Sequence, residues 1–199
     1  MARLTVGAGP NGSGKTTLTH ELLSQSEGIH INADVMATEK RDAEGGTFED
    51  HVPWAATESR AQRDALIQQG QSVSYETVMS HNSHLEVMKA ARASAMTVAL
   101  YYVLTKSPDI NVSRVANRVA TGGHDVPEEK IRSRYTRSLG LLMKASRLST
   151  STIVFDNSGG PEDAKIVCVG SNGRLHIHED LRDTLQEHVP DSVPSSALF

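Results

Sequence analysis

The chain has 199 residues, of which 38% are hydrophobic and 22% charged, and a formal net charge of -4. That length suits one α/β domain with a buried core, and the composition is that of a soluble globular protein, not of a disordered chain or a membrane span. The negative balance argues against a protein whose main task is gripping a nucleic-acid backbone, because phosphate contacts need a local excess of Lys and Arg. Cys168 is the sole cysteine, so no internal disulfide can form, which agrees with a reducing compartment. No run approaches about 18 apolar residues and no basic-then-apolar leader opens the chain, so the expectation is a cytoplasmic protein without membrane contact.

In chain order, Leu4 to Ala8 is a short apolar run that meets a Gly-rich turn, and Leu18, Leu22 and Leu23 then repeat at helical spacing. Ile29 and Ile31 mark a second short strand ending at Asn32-Ala33-Asp34, with a helix from about Val35 and a polar loop over Asp42 to Gly46. A helix is predicted from Phe48 to Gln69, with Gly70 where a C-terminal cap would stop it. Ser72 to Thr77 gives a third strand with Val73 and Tyr75 on one face, and a helix follows over about Leu85 to Ala95.

Thr97 to Leu104 is nearly continuously apolar, as a central strand of a parallel sheet would be. Helices over about Val112 to Ala120 and Pro127 to Leu148 flank Gly122-Gly123-His124-Asp125-Val126, whose two glycines suit a lid over about 112–137. Thr152 to Phe155 is a fifth strand. The βα alternation implies a P-loop kinase-like, doubly wound parallel α/β sheet of about five strands with helices on both faces. A C-terminal extension at about 161–199 reads as a hairpin around Asn172-Gly173 and a short helix carrying Leu181 and Leu185.

Gly9-Pro10-Asn11-Gly12-Ser13-Gly14-Lys15-Thr16 satisfies the Walker A pattern between a strand and a helix, the context that gives the pattern its meaning. Its glycines let successive N–H groups turn inward toward phosphate oxygens at a helix N-terminus. Lys15 is expected to reach the β- and γ-phosphates of ATP, Thr16 to ligate Mg²⁺, and Thr17 to follow as the next contact. A P-loop alone does not choose among kinase, GTPase or motor, so the choice rests on the other strand ends.

Taken with the P-loop, Ile31-Asn32-Ala33-Asp34, Tyr75-Glu76-Thr77, Arg114 to Tyr135 with its Gly-Gly-His-Asp-Val-Pro core, and Phe155-Asp156-Asn157-Ser158 resemble the zeta-toxin-like family of P-loop kinases over about Arg3 to Ser158. The resemblance implies phosphorylation of a small-molecule hydroxyl, such as that of UDP-N-acetylglucosamine, and leaves an antitoxin partner open. It also favours Asp34 as the base at the acceptor and assigns Glu76 to acceptor binding.

A carboxylate at position 34 suits proton acceptance from a hydroxyl, although Asp is also a preferred helix cap. Glu76 and Thr77 close the third strand toward the acceptor. Arg114, Arg118, Arg132, Arg134 and Arg137 concentrate on the lid stretch, and Arg118, Arg134 and Arg132 are the candidates to neutralise a transferring phosphoryl group. Arg132 and Arg134, two apart on a helix, cannot share a face. Asp156 and Asn157 are expected to shape the adenine pocket. Two other readings stand beside the kinase: a nucleotide-binding regulatory protein without acceptor chemistry, and a polynucleotide 5′-hydroxyl kinase, which would need a basic channel and stacking aromatics.

Overall fold

The computed structural model describes residues 1–123 and 125–192, so His124 and the segment 193–199 lie outside the described residues. Seven strands, β1 (Arg3–Ala8), β2 (Ile29–Ile31), β3 (Val73–Thr77), β4 (Thr97–Leu104), β5 (Ser151–Asp156), β6 (Lys165–Ser171) and β7 (Arg174–Ile177), form one sheet in the order β2-β3-β1-β4-β5-β6-β7. The first five are parallel, with β1 between β3 and β4. The α-helices of the described residues are α1 (Lys15–Ser24), α2 (Ala33–Glu44), α3 (Phe48–Gln68), α4 (Ser83–Ala93), α5 (Pro108–Ala120), α6 (Glu128–Leu148) and α7 (Glu179–His188).

The strand order reverses direction after β2, and right-handed crossovers therefore send α1 to one face and the helices that connect the later parallel strands, α2 to α6, to the other. Side chains record this division along β3. Ser74 donates to the Leu23 carbonyl on α1 at 3.3 Å, whereas Tyr75 lies under Arg63 of α3 and stacks with His84 of α4. The α6 side is fixed by polar contacts inside the core. Ser138 donates to the Val78 carbonyl at 2.7 Å, which leaves its oxygen to accept from Tyr102 at 2.6 Å, and Tyr135 donates to the Thr105 carbonyl at 2.7 Å. Leu139 and Leu142 of the same helix are fully buried, and removing such a side chain from water stabilises the fold by about 1.5–3 kcal/mol each.

Three boundaries differ from the sequence reading. The polar run Asp42–Glu44 continues α2, supported by the Lys40–Glu44 ion pair at one-turn spacing, and the helix stops only at Gly45 with φ 80°. α5 begins at Pro108 behind the Ser107 cap, four residues before the expected start. The hairpin does not stand apart: β6 pairs antiparallel with the free edge of β5, and Asn172 (φ 48°) and Gly173 (φ 80°) supply the left-handed turn it needs. The five-stranded parallel sheet thereby becomes seven-stranded. Cys168 is buried in β6, and burial pushes its thiol up to about 11.

Candidate active site

The turn from β1 into α1 is held by glycine geometry and by two buried asparagines. Gly12 and Gly14 adopt φ of 78° and 84°, where L side chains are strained. A Cβ at Gly12 would lie 2.4 Å from the Asn111 carbonyl oxygen, and one at Gly14 would lie 2.2 Å from Asn157 Nδ2. Asn111, on α5, donates from Nδ2 to the Asn11 carbonyl at 2.6 Å and accepts the Thr105 hydroxyl. Asn157, at the end of β5, donates to the Ser13 carbonyl at 2.7 Å. The Asn11 and Ser13 carbonyls are thereby tied from behind, within the kind of glycine-rich turn from which an anion-binding nest is built.

The sequence reading gives Asn157 to the adenine pocket. Its side chain is instead 1% exposed beneath the loop, so its visible task is positional. Asp156 is also turned inward, accepting from the Ser158 amide at 2.9 Å and from the Ser158 hydroxyl. Asn111 is a residue that sequence reasoning missed. A single Asn within an amphipathic helix carries no motif, and only the packing of α5 against the loop exposes its role.

Lys15, Thr16, Asp34, Glu76, Thr77, Arg118 and Arg134 line one cavity of about 310 Å³ at the carboxyl ends of β1 and β3, with Asn11 and Asn32 beside them. Burial of its ammonium lowers the pKa of Lys15, an effect opposed by the nearby carboxylates of Glu76 and Asp34 and reinforced by Arg118. Thr16 Oγ1 donates to Glu76 Oε2 at 2.8 Å, and Thr19 Oγ1 donates to the other carboxylate oxygen at 3.2 Å. The first contact turns the lone pairs of the Thr16 hydroxyl away from Glu76. A hydroxyl and a carboxylate are hard oxygen donors of the kind Mg²⁺ takes together with water and phosphate oxygens.

Asp34 does not cap its helix. Asn32 does so, with Oδ1 accepting from the Asp34 and Val35 amides at 2.9 and 3.3 Å, so the Asp34 carboxylate is exposed on the first turn of α2 at the cavity wall. Glu76 and Thr77 face opposite sides of the strand. Glu76 meets α1, whereas the Thr77 hydroxyl accepts from the Met79 amide at 3.0 Å and sits 3.0 Å from His84 Nε2. Arg134 donates to Asn11 Oδ1 at 3.3 Å, which brings a guanidinium onto the loop itself. Arg132 does not join it. Its side chain pairs with Asp109 at 2.6 Å and Glu128 at 2.8 Å on the exposed side of α6. Arg114 points at the end of β5 and donates to the Ser158 carbonyl at 3.2 Å. Thr17 is exposed on the first turn of α1, outside the cavity.

A 2-3-1-4-5 parallel core with a glycine-rich cradle between β1 and α1 defines a P-loop protein of kinase-like fold. Residues 4–139 match the family model described as AAA domain, and the chain belongs to that family. The structure resembles a chain from the crystal structure of AvrRxo1-ORF1:-ORF2 with ATP, at TM-score 0.70 and 13% identity, covering 100% of this chain and 65% of that one. A chain from the PezAT chromosomal toxin–antitoxin system of Streptococcus pneumoniae superposes at TM-score 0.57 and 14% identity, covering 94% and 77%. One from the Pnkp1/Rnl/Hen1 RNA repair complex does so at TM-score 0.53 and 17% identity, covering 72% and 46%. At these identities the likeness is one of fold. An uncharacterized protein of Haemophilus influenzae is 35% identical over 60 residues, and that match spans 30% of this chain and 43% of the relative. No helix among the described residues is long and apolar enough to cross a membrane.

Proposed function

We propose that the chain is an ATP- and Mg²⁺-dependent phosphotransferase that moves the γ-phosphoryl group to a hydroxyl of a small molecule. A nucleotide sugar such as UDP-N-acetylglucosamine is the first acceptor to test. The observation that carries this reading is the placement of Asp34 and Lys15 on the walls of one cavity, with the Asp34 carboxylate relieved of capping by Asn32.

In the reaction, the acceptor hydroxyl oxygen forms a bond to the γ-phosphorus while the bond from that phosphorus to the β,γ-bridging oxygen breaks. The hydroxyl proton passes to the Asp34 carboxylate, and ADP leaves with the bridging oxygen. Lys15 and Arg134 oppose the charge on the transferring group, and Arg118 reaches the same cavity from the end of α5. Mg²⁺, when bound, screens the phosphate charge; the Thr16 hydroxyl and the Glu76 carboxylate are the residues that would hold it, Glu76 directly or through water. The stretch over about 112–137, where α5 ends and α6 begins, is the proposed lid over the site. The described residues act within one domain in this account. A protein partner in the manner of an antitoxin belongs to the same proposal, supported by the fold shared with the PezAT chain.

The test is mass spectrometry of sugar nucleotides, nucleosides and dinucleotides after incubation with protein, ATP and Mg²⁺, beside Lys15→Ala and Asp34→Ala. A gain of one phosphate on a small molecule, absent from both variants, is the expected result. Labelling of RNA ends in preference to every small molecule would replace the reading with that of a polynucleotide kinase, and ATP binding with no transfer at all would leave a nucleotide-dependent switch.

A further inference from the structure

Behind the Asp34 cavity, on the α3–α4 face of β3, lies a second cavity of about 370 Å³. The two share Ala33, Glu76, Thr77, Val78 and Arg134, so they adjoin. The inner cavity is furnished with donors. Tyr75 is 5% exposed, and its buried hydroxyl has no hydrogen-bond partner among the described residues. Native structures satisfy nearly all such groups, so this donor is available to a water or to a ligand in the cavity. Burial pushes the phenol up to about 12, which keeps it a neutral donor.

Arg60 and Arg63 lie one turn apart on α3 and both line the same space. Arg63 is 9% exposed, lies with its guanidinium carbon 5.2 Å from the Tyr75 ring centroid, and is neutralised by Asp64 at 2.8 Å. Arg60 is an exposed residue of the cavity wall and has no hydrogen bond or ion pair among the described residues, so its guanidinium is open to an incoming anion. Across from them His84 is held neutral by burial, down to about 4, with its ring turned to the Thr77 hydroxyl. Glu76, the one carboxylate on this lining, already accepts from Thr16 and Thr19 on the far side of the strand.

We propose that this inner cavity binds an oxyanion, a phosphate or carboxylate carried by the acceptor at the end remote from its reacting hydroxyl, through Arg60, Arg63 and the Tyr75 hydroxyl. The proposal rests on the phosphotransferase reading for what the ligand is, but its test does not require turnover. Guanidinium groups and a buried hydroxyl match oxyanion geometry, and the shared walls let one molecule place its hydroxyl at Asp34 and its anion at Arg60.

The experiment is NMR of the arginine side chains and of the backbone amides of residues 59–64 and 75–84 in the full chain carrying Lys15→Ala, which removes the cation of the P-loop. Inorganic phosphate, acetate and chloride are titrated at constant ionic strength. Saturable shifts at Arg60 and Arg63 with phosphate or acetate but not chloride are expected, and the tighter of the two names the group. Arg60→Gln should weaken binding about tenfold, with Arg60→Lys recovering part of it, and Tyr75→Phe should weaken it as well. Equal, unsaturated shifts with all three salts, or affinity untouched in Arg60→Gln, would overturn the proposal. Anion binding at α3 without phosphoryl transfer to any acceptor would retain this site and discard the phosphotransferase.

Discussion

Asn111 offers the sharpest test of how the phosphate cradle is held. Its Nδ2 donates to the Asn11 carbonyl at 2.6 Å and its Oδ1 receives the Thr105 hydroxyl, while the residue itself is 0% exposed. Asn111→Ala deletes both contacts and leaves a small void. Thr105 retains a second acceptor, the Ser107 carbonyl at 3.1 Å, and the partly exposed Asn11 carbonyl can turn to water, so the loss falls below that of two orphaned buried groups. The expected destabilisation is about 2 kcal/mol. The loop regains freedom that nucleotide binding must then remove, and ATP affinity should fall about tenfold.

Asn111→Asp separates this account from generic damage to the core. It keeps an acceptor for Thr105 but sets a carboxylate against the Asn11 carbonyl beneath an anion-binding loop, so it should be worse than Ala in both measures, with at least about 3 kcal/mol lost. Urea unfolding reads the stability and calorimetric titration reads the affinity. ATP bound as tightly by Asn111→Asp as by the unmodified protein would refute the reasoning, whatever happened to stability.

Arg134→Ala should lower phosphoryl transfer at least about 100-fold, whereas Arg132→Ala, which removes only an exposed pair with Asp109 and Glu128, should change it less than about twofold; initial rates decide. Glu76→Gln weakens the acceptor for Thr16 and Thr19 and removes a negative charge beside Lys15, so the Mg²⁺ concentration for half-maximal activity should rise about tenfold or more, read from a metal titration at fixed ATP. Acid should weaken the fold through His84, which burial pushes from 6.5 down to about 4. The unfolded chain takes up that proton first as pH falls, so this contribution is intact above pH 6.5, declines toward pH 4, and amounts to about 2 kcal/mol between pH 7.5 and 5. Denaturant melts at the two pH values should show that loss, and His84→Gln should remove most of it.

The elements that could be read in advance were those whose own sequence determines them. Thr97–Leu104 is apolar along its whole length because a central parallel strand is covered on both faces, and its observed bounds match the expectation. Asn172-Gly173 could specify a turn locally, but nothing in the hairpin said that β6 would find the edge of β5, since pairing of distant strands is a tertiary event.

The cradle residues were legible because phosphate chemistry demands a fixed pattern, whereas what holds the cradle was not. Asn111 stands about a hundred residues away in sequence, and Asn157 seemed to belong to the base pocket because strand order, not packing depth, was the available guide. Among the arginines, helical spacing could say that Arg132 and Arg134 part company, while the choice between them depended on Asp109, a partner on another helix. The capping role of Asn32 likewise freed Asp34 in a way that composition alone could not decide, since either residue type can cap.

The central claim divides the labour between the loop, which holds ATP, and Asp34, which takes the acceptor proton. The most direct measurement compares Asp34→Asn with the unmodified protein for ATP affinity by calorimetry and for phosphate transfer by mass spectrometry, on an acceptor found in the panel. The account predicts affinity within about threefold and transfer reduced at least about 100-fold. Transfer that survives in Asp34→Asn, or that falls only in step with ATP affinity, would contradict it.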